Sequence, residues 1–111
     1  MPNELQTGDI YLVRFHPSTG RELKKYRPAV IISATISKID PRFCLVAPLT
    51  RTKSNNPWEL SLKNTALEKD STLLCWYLRT MDINRLEKKL GALSNQQIEE
   101  MRKTVSSLVK S

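Results

Sequence analysis

Four apolar residues in a row, Ala29, Val30, Ile31 and Ile32, follow Arg27 and Pro28 and end at Ser33. An apolar run of this length between turn signals reads as a strand buried on both faces. Proline at its first residue costs no ladder hydrogen bond. A strand of this kind needs covering material on either side. The 111 residues provide one domain in which to find it, burying roughly two thirds of the unfolded surface.

The rest of the chain supplies short strands and one helix. Residues 9–15 are rich in β-branched, aromatic and long apolar side chains and read as a strand ended by Pro17. Ser18, Thr19 and Gly20 mark a turn into a charged loop. After a loop at residues 37–41, residues 43–47 form a third strand ending near Pro48. Residues 51–57 read as a polar, basic loop broken by Asn55, Asn56 and Pro57. Residues 58–62 and 72–77 read as a fourth and a fifth strand, and residues 79–82 as a short strand or turn. Residues 83–89 are ambiguous, with one helical turn as an option. Ser94 followed three residues later by Gln97 is a capping box. Ile98, Met101, Val105 and Leu108 then recur at helical spacing. The pattern predicts a mainly β domain over residues 1–111 with a C-terminal α-helix: a small barrel or half-open sheet with the helix packed on it.

Charge narrows the function. The net charge is +7, from 18 Lys and Arg against 11 Asp and Glu. Residues 14–53 hold nine of the basic residues and two of the acidic ones, Glu22 and Asp40, so this block carries the whole surplus of seven. A localised basic block is the footprint of phosphate binding. No apolar run is long enough to span a bilayer, and the first residues lack the pattern of a signal peptide, so the expectation is a cytoplasmic chain with no membrane partner. Two cysteines and one histidine cannot build a four-ligand zinc site unaided, and no metal or cofactor is expected. Cys44 and Cys75 lie in apolar strands and read as buried free thiols. His16 is the sole histidine, which excludes a two-histidine ribonuclease mechanism.

Catalysis in such a chain falls to Arg, Lys, Thr, Ser, Glu or Tyr. RNA carries its own nucleophile, the 2′-OH beside each phosphate. An enzyme using it has to orient the backbone, move protons and neutralise charge growing on the phosphorane. Arginine clamps such charge with two parallel hydrogen bonds, and a threonine hydroxyl can bond the same oxygens. Arg27 and Thr50, each at the edge of an apolar strand, fit these tasks.

The ordered segments GDIYLVRFHPSTGRE, RPAVIIS, VAPLT and LRTMD, followed by the terminal helix, resemble the MazF/PemK toxins, endoribonucleases of bacterial toxin–antitoxin pairs. The resemblance covers residues 7–110. It implies an SH3-like, CcdB-like barrel that forms a homodimer, with single-stranded RNA in a groove across the dimer and an acidic antitoxin protein covering that groove. It also implies ribosome-independent, metal-independent cleavage through 2′-OH attack. By position it assigns Arg27 and Thr50 as catalytic, with Glu22 shaping the site or moving a proton. Arg79, Thr80 and Asp82 match the family's R-T-x-D segment.

Where many relatives carry an acidic residue and glutamine before that segment, this chain has Trp76 and Tyr77; Leu74 stands where one branch has arginine, and Arg21 where some members have histidine. Trp58, Trp76 and Tyr77 read either as packing or as platforms for a splayed base. The residues around 75–78 are candidates for the dimer seam. Arg21, Lys24, Lys25, Arg51, Lys53 and Arg79 are the expected RNA contacts. The alternative function is a non-catalytic barrel that binds nucleic acid or a protein target such as gyrase.

Overall fold

The computed structural model describes residues 4–15, 26–53, 56–63 and 65–110. Seven strands and two helices follow one another: β1 (Asp9–Arg14), β2 (Tyr26–Ser33), α1 (Thr35–Ile39), β3 (Phe43–Thr50), β4 (Glu59–Leu62), β5 (Ser71–Leu74), β6 (Arg79–Asp82), β7 (Leu86–Ala92) and α2 (Asn95–Lys110). The strands form one antiparallel sheet in the order β4-β5-β3-β2-β1-β7, with β6 also paired to β3. Among the described residues no ladder joins β7 to β4, so the barrel is half-open. The β4–β5 connection bridges that gap: Ala66 comes so close to Gly91 of β7 that a Cβ on Gly91 would strike it.

The apolar run in β2 is buried on both faces, as its sequence predicts. Val30 and Ile32 join a cluster with Ile10, Leu49, Leu62, Leu73 and Met101, beneath α2. Ala29 and Ile31 join the opposite cluster with Tyr11, Val13, Phe15, Val46 and Met81. Alternation along a strand sends successive side chains to opposite faces, so one strand anchors two cores. The capping box is present in both directions: the Gln97 N–H donates to Ser94 Oγ at 3.1 Å, and the Ser94 N–H donates to Gln97 Oε1 at 2.9 Å. Met101 is fully buried, and Ile98 and Val105 pack beside it. Gly8 (φ +92°) makes the turn into β1, where a Cβ would fall 2.6 Å from Ile98.

Four local readings change. Residues 35–39 form a one-turn helix that overlaps the start of the expected loop; Ser37 Oγ ties it to β3 by donating to the Phe43 carbonyl at 2.8 Å. β3 runs past Pro48 to Thr50. Pro48 stands where the outer neighbour of β3 changes from β6, paired at 43–46, to β5, paired at 49–50. A missing N–H is tolerated at such a break. The fifth strand stops at Leu74, because the Cys75 N–H donates to the Leu73 carbonyl and the Tyr77 N–H to the Leu74 carbonyl, both at 3.0 Å. Trp76 and Tyr77 therefore leave the sheet, and Cys75, fully buried in its own core, is withdrawn from any seam. Residues 83–85 are a 3₁₀ turn, and residues 86–92 are the strand β7. Lys89 of β7 reaches the buried Asp9 at 3.3 Å, and Asp9 also accepts the Gln6 N–H at 3.0 Å.

Candidate active site

The register of β2 and β3 builds the site. Ala29 pairs with Pro48, Val30 with Ala47 and Ile31 with Val46. Carrying that register two residues further brings Arg27 opposite Thr50. Cross-strand partners project from the same face of a sheet, so two residues 23 positions apart in sequence meet at one strand end. They line a hollow of about 340 Å³ with Tyr26, Pro28, Leu49, Arg51 and Thr52. Thr50 Oγ1 accepts the Thr52 N–H at 3.3 Å. That bond uses a lone pair of the hydroxyl and leaves its proton to be donated into the hollow.

A second hollow of about 290 Å³ shares Pro28, Leu49, Thr50 and Arg51 with the first and adds Leu67, Glu68, Lys69 and Ser71. Two concavities thus meet at Thr50 and Arg51. Their cationic lining, Arg27, Arg51 and Lys69 against Glu68, suits a phosphate at the junction with a nucleoside on either side. Among the described residues no cluster of His, Cys, Asp and Glu could hold a metal ion.

The other predicted positions divide. Glu22, Arg21, Lys24 and Lys25, with His16, lie outside the described residues. Arg51 lines both hollows, and Lys53 is exposed one residue beyond Thr52. Arg79 lines neither hollow; its guanidinium carbon is 5.8 Å from the centre of the buried Phe15 ring. Trp58 is half-buried next to the Asn56 turn, whose side chain accepts its N–H at 2.8 Å. Trp76 is exposed, stacked on Tyr77, and hydrogen-bonded through Nε1 to Glu59.

The basic block is also split by the topology. Arg14, Arg27, Arg51 and Lys53 lie at the end of the sheet that holds Tyr26 and Thr50. Lys38 and Arg42 lie at the opposite end, between β2 and β3. Arg42 there is bidentate to Asp40, at 3.0 and 2.7 Å, and holds its carboxyl down to about 2. Tyr26, Thr52, Glu68 and Lys69 were not legible as site residues. Tyr26 and Thr52 had the signal of flanking Arg27 and Thr50, whereas residues 67–71 reach the site only by folding back.

The half-open antiparallel sheet with its terminal helix, and the hollow lined by Arg27 and Thr50, define a class of small β domains with the architecture that the sequence resemblance implies. Residues 6–109 match the family described as PemK-like, MazF-like toxin of type II toxin–antitoxin systems, and the chain belongs to that family. The chain is 33% identical over 105 residues to the Endoribonuclease MazF of Staphylococcus saprophyticus, covering 91% of this chain and 88% of that protein. The same fold occurs in the MazF of Deinococcus radiodurans, with TM-score 0.78, 23% identity and 96% and 97% of the two chains covered. It occurs again in a mycobacterial endoribonuclease solved in complex with its cognate antitoxin, with TM-score 0.77, 14% identity and 96% of each chain covered.

Proposed function

We propose that this protein is the endoribonuclease toxin of a toxin–antitoxin pair, cutting single-stranded RNA without the ribosome. The reading rests on one observation above the others: Arg27 and Thr50, the two residues assigned to catalysis, line the same hollow. A scissile phosphate at the junction of the hollows receives the Arg27 fork on its non-bridging oxygens and the Thr50 hydroxyl on one of them. The neighbouring 2′-OH attacks phosphorus while the bond to the 5′-oxygen breaks, leaving a 2′,3′-cyclic phosphate and a 5′-OH. Arg27 and Thr50 hold the charge that grows on the phosphorane, where preorganised donors act most strongly. Glu22 is assigned to shaping the site or moving a proton, and Arg51 to holding the flanking phosphate. The nucleophile belongs to the substrate and the counter-charge to arginine, so no step calls for a metal.

The expected assembly is a homodimer in the cytoplasm, silenced by an acidic antitoxin whose carboxylates compete with RNA phosphates for Arg27 and Arg51. No helix among the described residues is long and apolar enough to cross a membrane. A non-catalytic barrel acting on a protein such as gyrase is disfavoured by the family match and the endoribonuclease relative.

The test is digestion of a defined RNA with chelator throughout, beside the same RNA carrying 2′-deoxy residues. Cutting that survives chelator, stops at deoxy positions and leaves cyclic phosphate ends is expected. Cutting of the deoxy substrate, or loss of activity with chelator, refutes the mechanism. Light scattering at micromolar concentration should show a dimer; a clean species of 12.8 kDa counts against it.

A further inference from the structure

Trp76 has no part in the chemistry above, yet its setting is unusual for an indole. It sits in the turn after β5 with 46% of its surface exposed. Tyr77 backs its ring, with centroids 5.3 Å apart and planes inclined by 27°. Its Nε1–H donates to Glu59 Oε2 at 2.6 Å. A short, charge-assisted bond from a rigid ring fixes the rotamer of the carboxylate. No ion pair among the described residues engages Glu59. A half-exposed aromatic plane thus has a positioned carboxylate at its rim.

This platform lies on the same face of the sheet as the candidate active site. Thr50 pairs with Thr72, Thr72 with Ser61, and Leu74 with Glu59. Cross-strand partners and residues two apart on one strand share a face. A row of residues, the half-buried Thr50, the buried Thr72 and the exposed Ser61, therefore leads from the scissile position toward Glu59. From β2 to β4 the path crosses three strand spacings, about 14 Å. An RNA strand bound at Arg27 and Thr50 and running along this row delivers a neighbouring base to Trp76.

We infer that Trp76, Tyr77 and Glu59 form a guanine-binding subsite for the RNA substrate; the inference rests on the endoribonuclease reading. Stacking accepts any base, so selection comes from the carboxylate, which only accepts hydrogen bonds. In single-stranded RNA the Watson–Crick edge is free to be read. Guanine offers two adjacent donors there, N1–H and the 2-amino group, matching the two carboxylate oxygens. Adenine and cytosine offer one amino group, and uracil one ring N–H. A carboxylate oxygen has lone pairs enough to keep the indole bond while accepting from the base.

The experiment has a cleavage arm and a binding arm. In the first, RNA ends produced by wild-type protein, Glu59→Gln and Trp76→Leu are sequenced, and guanosine is replaced by inosine, which lacks the 2-amino group. Guanine should occupy a fixed place near the cut, and inosine there should lower kcat/KM roughly tenfold. Glu59→Gln should still cut but lose that difference, and Trp76→Leu should weaken binding of all sequences. In the second arm, the emission of Trp76 in a Trp58→Phe background is titrated with non-cleavable 2′-deoxy oligonucleotides. Guanine should quench it more than inosine does.

A motif without guanine, or a Glu59→Gln protein with the wild-type preference, overturns the subsite and leaves the nuclease reading standing. No cutting, with guanine-dependent quenching retained, overturns the nuclease reading and supports the subsite. Emission that ignores oligonucleotide but shifts on dilution of the protein assigns the platform to contact between copies and overturns the inference.

Discussion

Replacing Arg27 by alanine separates a catalytic clamp from a phosphate anchor. Arg27 is half-buried at the rim of the hollow, with Thr50 on the facing strand and Arg51 in the same lining. Removal of one preorganised donor to a developing anion costs roughly a hundredfold to a thousandfold in rate, or about 2.7–4 kcal/mol. Arg27→Ala should therefore slow the cutting step by at least roughly a hundredfold. Ground-state binding should fall much less, because Arg51 still holds the flanking phosphate. Arg27→Lys should not rescue the rate, since an ammonium lacks the two-pronged geometry of a guanidinium. Lys53 is exposed beyond the hollow, so Lys53→Ala should weaken binding to all sequences and reduce the salt slope by about one, with cutting at saturation unchanged. The assay is single-turnover cleavage at saturating enzyme beside binding titrations at several salt concentrations. If Arg27→Ala cuts at the wild-type rate once saturated, Arg27 only anchors phosphate and the clamp argument is wrong.

Three further outcomes test the scaffold. Gly8→Ala should destabilise the fold by about 1–3 kcal/mol, since an L-residue is strained at that φ and its Cβ would press on Ile98; equal urea midpoints for the two proteins would count against the reading of this turn. Ser94→Ala should cost about 1 kcal/mol by opening the capping box, read as a lower thermal midpoint, with Ser94→Asp retaining most of the stability. Burial pushes the Cys44 and Cys75 thiols up to about 11, so both should resist alkylation at pH 8 in the folded protein and react in urea. Because those folded values lie above the ordinary one, their contribution to stability is complete below about pH 9 and is lost as pH rises towards 11; an alkaline titration of the unfolding midpoint checks the sign.

Local chemistry was sufficient for the elements whose forces are local. The apolar run of β2 predicted a strand covered on both faces, and the two clusters on either side of it bear this out. Ser94, Gln97 and the stripe from Ile98 to Leu108 predicted α2, because a capping box and a 3.6-residue period need no distant partner. The segments around Arg27 and Thr50 carried the family likeness and with it the two residues proposed for catalysis. β7 escaped because Glu87, Lys88 and Lys89 are exposed on an edge strand, and its pairing with β1 and the Lys89–Asp9 contact lie far away in sequence. The end of β5 escaped because Cys75, Trp76 and Tyr77 have strand-forming side chains, while the turn there comes from backbone bonds and the burial of Cys75. Only the tertiary structure decided that Arg27 and Thr50 line one hollow, that the basic block is divided between the two ends of the sheet, and that Glu59 meets Trp76. Each of these depends on strand register, which is set by the packing of both sheet faces together and is written in no single segment of the chain.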